Sequence, residues 1–416
     1  MKLVVEERKL VLFLYFLTLL ASMFTIVDNV ILVGPLYYVK YLYIVVMAFF
    51  CFYDGVVLFS KRLFIGIGIL IVHTVLYGLV FTTPYVADLT STHFVQLMSI
   101  YAVVLLTCIY VYKKDCFTEF IEMSYLALAG LVLWCAFTHV GDFVNPIYYV
   151  NIFSRMDRFR AAFGMGDVNY CGNYCLYTLI LSVFLYKRWK QEGRKVDKRI
   201  YLAVGFVALI TLCMLFSTAS RSAILSLVLF FGILIVLDYW YLIIRYWKVF
   251  LTVAVVIGLV GGVVLFATDM LSGIWSESNR EGNLDINLPI FLTHGNIMHG
   301  MGYIDNSGFL NMAYGYPTTA MDIYFLYIPF SSGIIGSVLI FGQMLYLLYH
   351  LVTKYKVQGR NEALALFGMM MFYAVWQVNY MNYRYYTGIV HMVILFMFLM
   401  EIRRETDNYV FVLKRG

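Results

Sequence analysis

The chain has 416 residues, of which 62% are hydrophobic, 18% aromatic and only 13% charged, and its formal net charge is +6. A soluble domain is about half apolar and about a quarter charged. This composition therefore excludes a soluble globular enzyme, a disordered chain and a disulfide scaffold, and it makes lipid the solvent.

An apolar run of about 20 residues crosses a bilayer as a helix. Twelve such runs are predicted, at 10–27, 36–59, 63–81, 94–112, 119–138, 172–186, 200–216, 222–244, 249–267, 321–349, 362–380 and 386–401. The first follows Arg8 and Lys9, has no small-residue cleavage site and runs into Asp28 and Asn29, so it reads as a retained span. The expected fold class is an all-α polytopic membrane protein, one integral membrane domain over residues 1–416.

With the N-terminus in the cytoplasm and the spans alternating, both termini are inside. The inner segments then hold 23 of the 30 basic residues, including the dense run from Lys187 to Arg199. Every cytoplasmic loop obeys the positive-inside rule under this assignment. The net positive charge thus reflects topology, and no nucleic-acid partner is expected. Tyr37, Tyr38, Tyr41, Trp240, Tyr241 and Trp247 sit near span ends, as interfacial aromatics do.

Two outer segments are long, 139–171 and 268–320. Long connections in compact proteins are usually functional or disordered. The second contains Pro289, seven glycines and Trp275, Phe291, Leu292 and Phe309. That apolar content predicts a folded cap. No internal repeat is visible, which argues against an inverted-repeat transporter. Seven scattered cysteines make no disulfide framework. Cys171 and Cys175 could share a helix face but lack the partners a zinc site needs, and no carboxylate pair is spaced for Mg²⁺. No metal and no cofactor are expected.

The seven basic residues left outside are Lys40, Arg155, Arg158, Arg160, Arg221, Arg280 and Arg384; six of the seven are arginine. An arginine presents a planar fork of donors that matches phosphate oxygens and stays charged. Arg221 lies at the junction of two apolar spans, between Ser220 and Ser222. Charge at that depth is costly and is commonly functional or paired; the plainer reading is a snorkelling anchor. Arg155, Arg158 and Arg160 surround Asp157 and form either a headgroup-facing stretch or a second wall of an anion site. Asp322 opens the span at 321–349, where a carboxylate either caps the helix or acts as a base. His294 and His299 fall in the large outer loop, and a histidine can serve as a base near neutral pH.

Three segments carry a resemblance. Ser217-Thr-Ala-Ser-Arg221-Ser-Ala-Ile-Leu225 is similar to an (S/T)xSR(S/G)xxL block. Arg160-Ala-Ala-Phe-Gly164, followed by Asp167-Val-Asn169, is similar to an RxxGxF block with a following turn, and Arg155 and Gly166 keep an R-x10-G spacing. Asp322 with Gly333-Ile-Ile-Gly336 keeps the spacing of a His-(Asn/Ser/Gln)-x9-G-x-x-G pattern, with Asp in place of His. Over residues 140 to 340 the chain resembles the O-antigen ligase and polymerase superfamily. Asp322 favours the Wzy-type polymerases over the ligases.

The resemblance implies a GT-C-like membrane glycosyltransferase in the bacterial inner membrane. Donor and acceptor would be oligosaccharide repeat units on undecaprenyl diphosphate, joined into O-antigen, capsule or exopolysaccharide with inversion. A chain-length regulator and a flippase would be its partners. Arg221, Arg160, Arg155, Arg158 and Arg384 would hold the diphosphate, and Ser220, Ser222, Asn169 and Tyr324 would line the pocket. The base is Asp322, His294 or His299. A ligase and a lipid-linked oligosaccharide flippase are the competing readings. A flippase would be expected to carry mid-span charges, whereas here most spans lack them.

Overall fold

The computed structural model describes residues 6–25, 27, 33–53, 56–58, 61–81, 87–150, 159–248, 251–252, 255–256, 259, 288–289, 291–293, 295–301, 324–353, 360–376 and 410–412. These are almost wholly helical: α1 (Glu7–Phe24), α2 (Val33–Phe52), α3 (Lys61–Val75), α4 (Ala87–Lys114), α5 (Phe117–Thr138), α6 (Val140–Val144), α7 (Ile147–Val150), α8 (Val168–Gln191), α9 (Lys198–Ser217), α10 (Arg221–Asp238), α11 (Trp240–Arg245), α12 (Tyr324–Val352) and α13 (Arg360–Trp376). Among the described residues, six helices are long and apolar enough to cross a membrane: α4 from Leu97, α5, α8, α9, α10 and α12. The chain is a helical protein of membrane-spanning character. In hydrocarbon a helix bonds its own backbone, which is why such runs fold this way.

Several predicted boundaries shift. The run at 36–59 ends as helix at Phe52, and β1 (Val56–Leu58) pairs antiparallel with β2 (Val410–Val412). This three-residue ladder departs from a purely helical expectation. A Val-Val-Leu triplet suits a strand, and its partner lies some 350 residues away, beyond the reach of local pattern. The run at 63–81 is α3 followed by a π-helical turn, Leu76–Val80. The run at 222–244 breaks at Tyr239 into α10 and α11. The outer segment 139–171 contains α6, α7 and the first turn of α8. The run at 386–401 lies outside the described residues, as do most of the run at 249–267 and most of the large outer loop.

Helix α1 packs on α2 and α5, α2 on α4, α5 on α8, α8 on α9 and α10, α10 on α13, and α12 on α3 and α13. Polar side chains gather the helix ends at one end of this bundle. Arg8 pairs with Glu119, Lys114 with Glu7 at 3.1 Å, and Lys187 with Asp238 at 2.5 Å and Glu362 at 3.0 Å. Trp189 Nε1 donates to Glu122 at 2.8 Å. These contacts join the start of α1, the α4–α5 turn, the end of α8, the end of α10 and the start of α13.

Candidate functional site

The opposite ends of α8, α9 and α10 meet at a polar corner. Helix α9 stops at Ser217, and Thr218, Ala219 and Ser220 turn the chain into α10; all four residues are buried. Ala219 sits at φ 46°, a conformation that non-glycine residues adopt only under constraint. Every helix leaves its last carbonyls unpaired, and here each of them is accounted for. Met214 O accepts from Thr218 N–H at 3.0 Å and from Ser217 Oγ at 2.8 Å, and Leu215 O accepts from Thr218 Oγ1 at 2.7 Å. Phe216 O accepts from Ala219 N–H at 3.0 Å.

The remaining two carbonyls are met from another part of the chain. Ala161 N–H donates to Ser217 O at 3.2 Å, and Arg160 Nε donates to Thr218 O at 3.1 Å. The second nitrogen, Nη2, donates to Asn169 Oδ1 at 3.2 Å. Asn169 is itself held, because its N–H donates to Asp167 Oδ1 at 2.7 Å, the N-cap bond of α8. A cation at the carbonyl end of α9 is favoured by the helix dipole. The guanidinium plane of Arg160 is thus fixed between the end of α9 and the start of α8.

Arg221 is the first residue of α10, and its Nε is enclosed by protein. A cation at a helix N-terminus opposes the macrodipole, at a cost of about 0.3–1 kcal/mol. Folding alone would favour an acid there, yet the first turn of α10 has none. Ser220, the N-cap residue, makes no side-chain cap bond; its Oγ lies 3.5 Å from Ser222 Oγ. The corner therefore combines an arginine, a helix N-terminus and two hydroxyls, a combination that favours an anion.

The loop leading to α8 is tightly coiled, with Phe163 at φ 50°, Gly164 at 71° and Gly166 at 62°. The His139 ring fills the space a side chain at Gly164 would need. Nothing in the local sequence marks His139 for this place. Nearby, the Tyr149 hydroxyl donates to Phe143 O at 2.7 Å, and burial raises its pKa, so it stays neutral.

A second polar group forms around α12, which is broken at Gly333 (φ 59°, ψ −158°). A break in a membrane helix frees backbone groups that must find partners. Residues 296–301 supply them: Met301 N–H donates to Phe330 O at 2.9 Å, Ile334 N–H to Ile297 O at 3.0 Å, and Ile335 N–H to Met298 O at 3.0 Å. Tyr77 Oη donates to Ser332 O at 2.6 Å, and His73 Nε2 lies 3.1 Å from Ser332 Oγ. The donors that open the second half of α12 are consumed by this loop, so the break is a docking point for the outer segment. His299 is held there, stacked on Phe81 at 4.8 Å with rings 2° from parallel. Tyr324 is buried in the first turn of α12.

Of the predicted site residues, Arg160, Asn169, Ser220, Arg221 and Ser222 therefore converge on one corner, and His299 and Tyr324 belong to the α12 region. Asp322, His294, Arg155, Arg158 and Arg384 lie outside the described residues. Replacing Arg160 with Ala removes two charge-assisted bonds, each worth about 1.5–3 kcal/mol, and should free the 159–167 loop. Limited proteolysis should show faster cleavage there, while Asn169→Ala, which spares the Thr218 contact, should show a smaller change. No protein-family model matches the chain, and no curated protein matches it.

Proposed function

We propose that this chain is a metal-independent, inverting membrane glycosyltransferase that joins undecaprenyl-diphosphate-linked oligosaccharide repeat units into a longer polysaccharide. The reading places twelve spans and a GT-C-like architecture in the cytoplasmic membrane, with both termini inside and the α9–α10 corner on the outer face. The observation that carries it is the convergence of Arg160 and Arg221 on that corner.

In this reaction the acceptor hydroxyl oxygen attacks the anomeric carbon of the donor sugar. The new glycosidic bond forms as the bond from that carbon to the diphosphate oxygen breaks. The electron pair leaves with the diphosphate, and the hydroxyl proton passes to a base. Negative charge grows on the leaving group, and preorganised guanidinium groups stabilise it without reorganising. Arg221 and Arg160 take this role, with Arg155, Arg158 and Arg384 as further contacts. Asp322 is the first choice of base, followed by His294 and His299. Surrounding lipids and the lipid-linked donor and acceptor are the partners, with a chain-length regulator and a flippase acting before and beside it.

The test is the glycan profile of a strain lacking the chain, on a gel and in the lipid-linked pool. Single repeat units without a ladder are expected. Full-length polymer left on undecaprenyl diphosphate would indicate a ligase, repeat units trapped inside a flippase, and an unchanged profile would overturn the family reading. In a complemented strain, Asp322→Asn should remove the ladder while keeping a capping oxygen. Unchanged output would leave Asp322 as a cap and move the base role to a histidine.

A further inference from the structure

At the end of the bundle away from this corner, α5, α8 and α9 enclose a groove of about 980 Å³. Its walls are mostly carbon, with Leu126, Leu133, Val204 and Val207 along its length. Leu126 and Ile200 are about half exposed, so the groove opens sideways toward lipid. Its rim is the linker between α8 and α9. From Lys187 to Arg199 this stretch carries seven cations against only Glu192 and Asp197.

Two features separate this groove from an ordinary lipid-facing furrow. The first is the charge on its rim. Arg194 is paired with Glu122, but the exposed side chains of Lys195 and Arg199 have no acidic partner among the described residues. The second is Tyr125, which lines the groove one helical turn beyond Glu122. It is 5% exposed, and its hydroxyl finds no hydrogen-bond partner among the described residues. A buried hydroxyl left unpaired costs free energy, and a lipid oxygen in the groove would satisfy it. Basic pockets between membrane helices on the cytoplasmic side suit anionic headgroups.

We propose that this groove is a site for one anionic two-chain phospholipid. Its phosphate rests on Lys195 and Arg199, its glycerol ester oxygen accepts from Tyr125 Oη, and its chains lie along Leu126, Leu133, Val204 and Val207. Charge complementarity at the rim selects the headgroup, and the apolar length of the groove selects a lipid over a soluble phosphate. The site is remote from the arginine corner and does not depend on the glycosyltransferase reading.

The test uses the purified full-length protein in detergent, with unfolding followed by tryptophan fluorescence. Phosphatidylglycerol should raise Tm by roughly 3 °C at a hundredfold excess over its Kd, and phosphatidylcholine with the same chains should raise it much less. The double variant Lys195→Ala/Arg199→Ala should lose the difference between the two lipids. Ala203→Phe, at an exposed position on the groove wall, should lose it by filling the space. Native mass spectrometry of the unmodified protein should show one retained anionic phospholipid. Equal shifts with both lipids, the same shift with inorganic phosphate alone, or a difference that survives in both variants would each overturn the proposal.

Discussion

Arg221→Ala is expected to abolish long-chain glycan while leaving the protein at its normal level in the membrane. Arg221 opens α10 with the wrong sign for the helix dipole, so its removal should leave the helix unchanged or slightly steadier. If the arginine stabilises a departing diphosphate, losing one preorganised donor should cost about 10²–10³ in rate. Arg221→Lys keeps the charge but not the planar fork, and its output should fall well below that of the native chain. Glycan ladders read against membrane protein levels check both variants. A normal ladder in Arg221→Ala would remove its leaving-group role, and a loss of protein alongside the ladder would make it a structural residue.

Gly333→Val should have the largest effect on folding. At φ 59° and ψ −158° the backbone occupies a region open essentially to glycine alone. A Cβ at this position would also overlap the backbone of residues 298–300, and one at Gly300 would overlap Ser331 and Ser332 in turn. Both glycines are needed for two backbones to touch. Strain of about 1–3 kcal/mol adds to the clash, and the total should reach about 4 kcal/mol or more, the range of exceptional substitutions. Gly342→Ala lies in the same helix with open space around it and should be neutral or stabilising by about 0.5–1 kcal/mol. Thermal unfolding in detergent compares the two. Similar Tm values would show that the 296–301 contact does not hold α12.

The spacing from Asp322 to Gly333-Ile-Ile-Gly336 was legible as a pattern, but its reason was not. The pattern marks where a helix breaks and an outer segment docks, and that needs the partner residues 296–301, some 35 positions earlier. The Arg221 block was likewise visible as a charge between two apolar runs. Arg160 was visible as one of three neighbouring arginines and as the start of the Arg160-Ala-Ala-Phe-Gly164 block. The two bonds that tie it to Thr218 and Asn169 were not legible in the sequence. His139 and the Ser332 contacts with His73 and Tyr77 carried no local signal.

The amino-acid sequence by itself determined that the chain is helical and built for lipid. Apolar runs of span length can bond their backbone only internally in hydrocarbon, and that constraint acts one segment at a time. It also put Arg221 at the junction of two apolar runs and Arg160 shortly before another. Only the tertiary structure decided what they meet. The Arg160–Thr218 bond spans 58 positions, and β1 pairs with a segment near the C-terminus. The orphaned carbonyls of α9 and the broken backbone of α12 find their partners across the bundle. Those pairings depend on how whole helices pack, a long-range outcome that periodicity and composition do not encode.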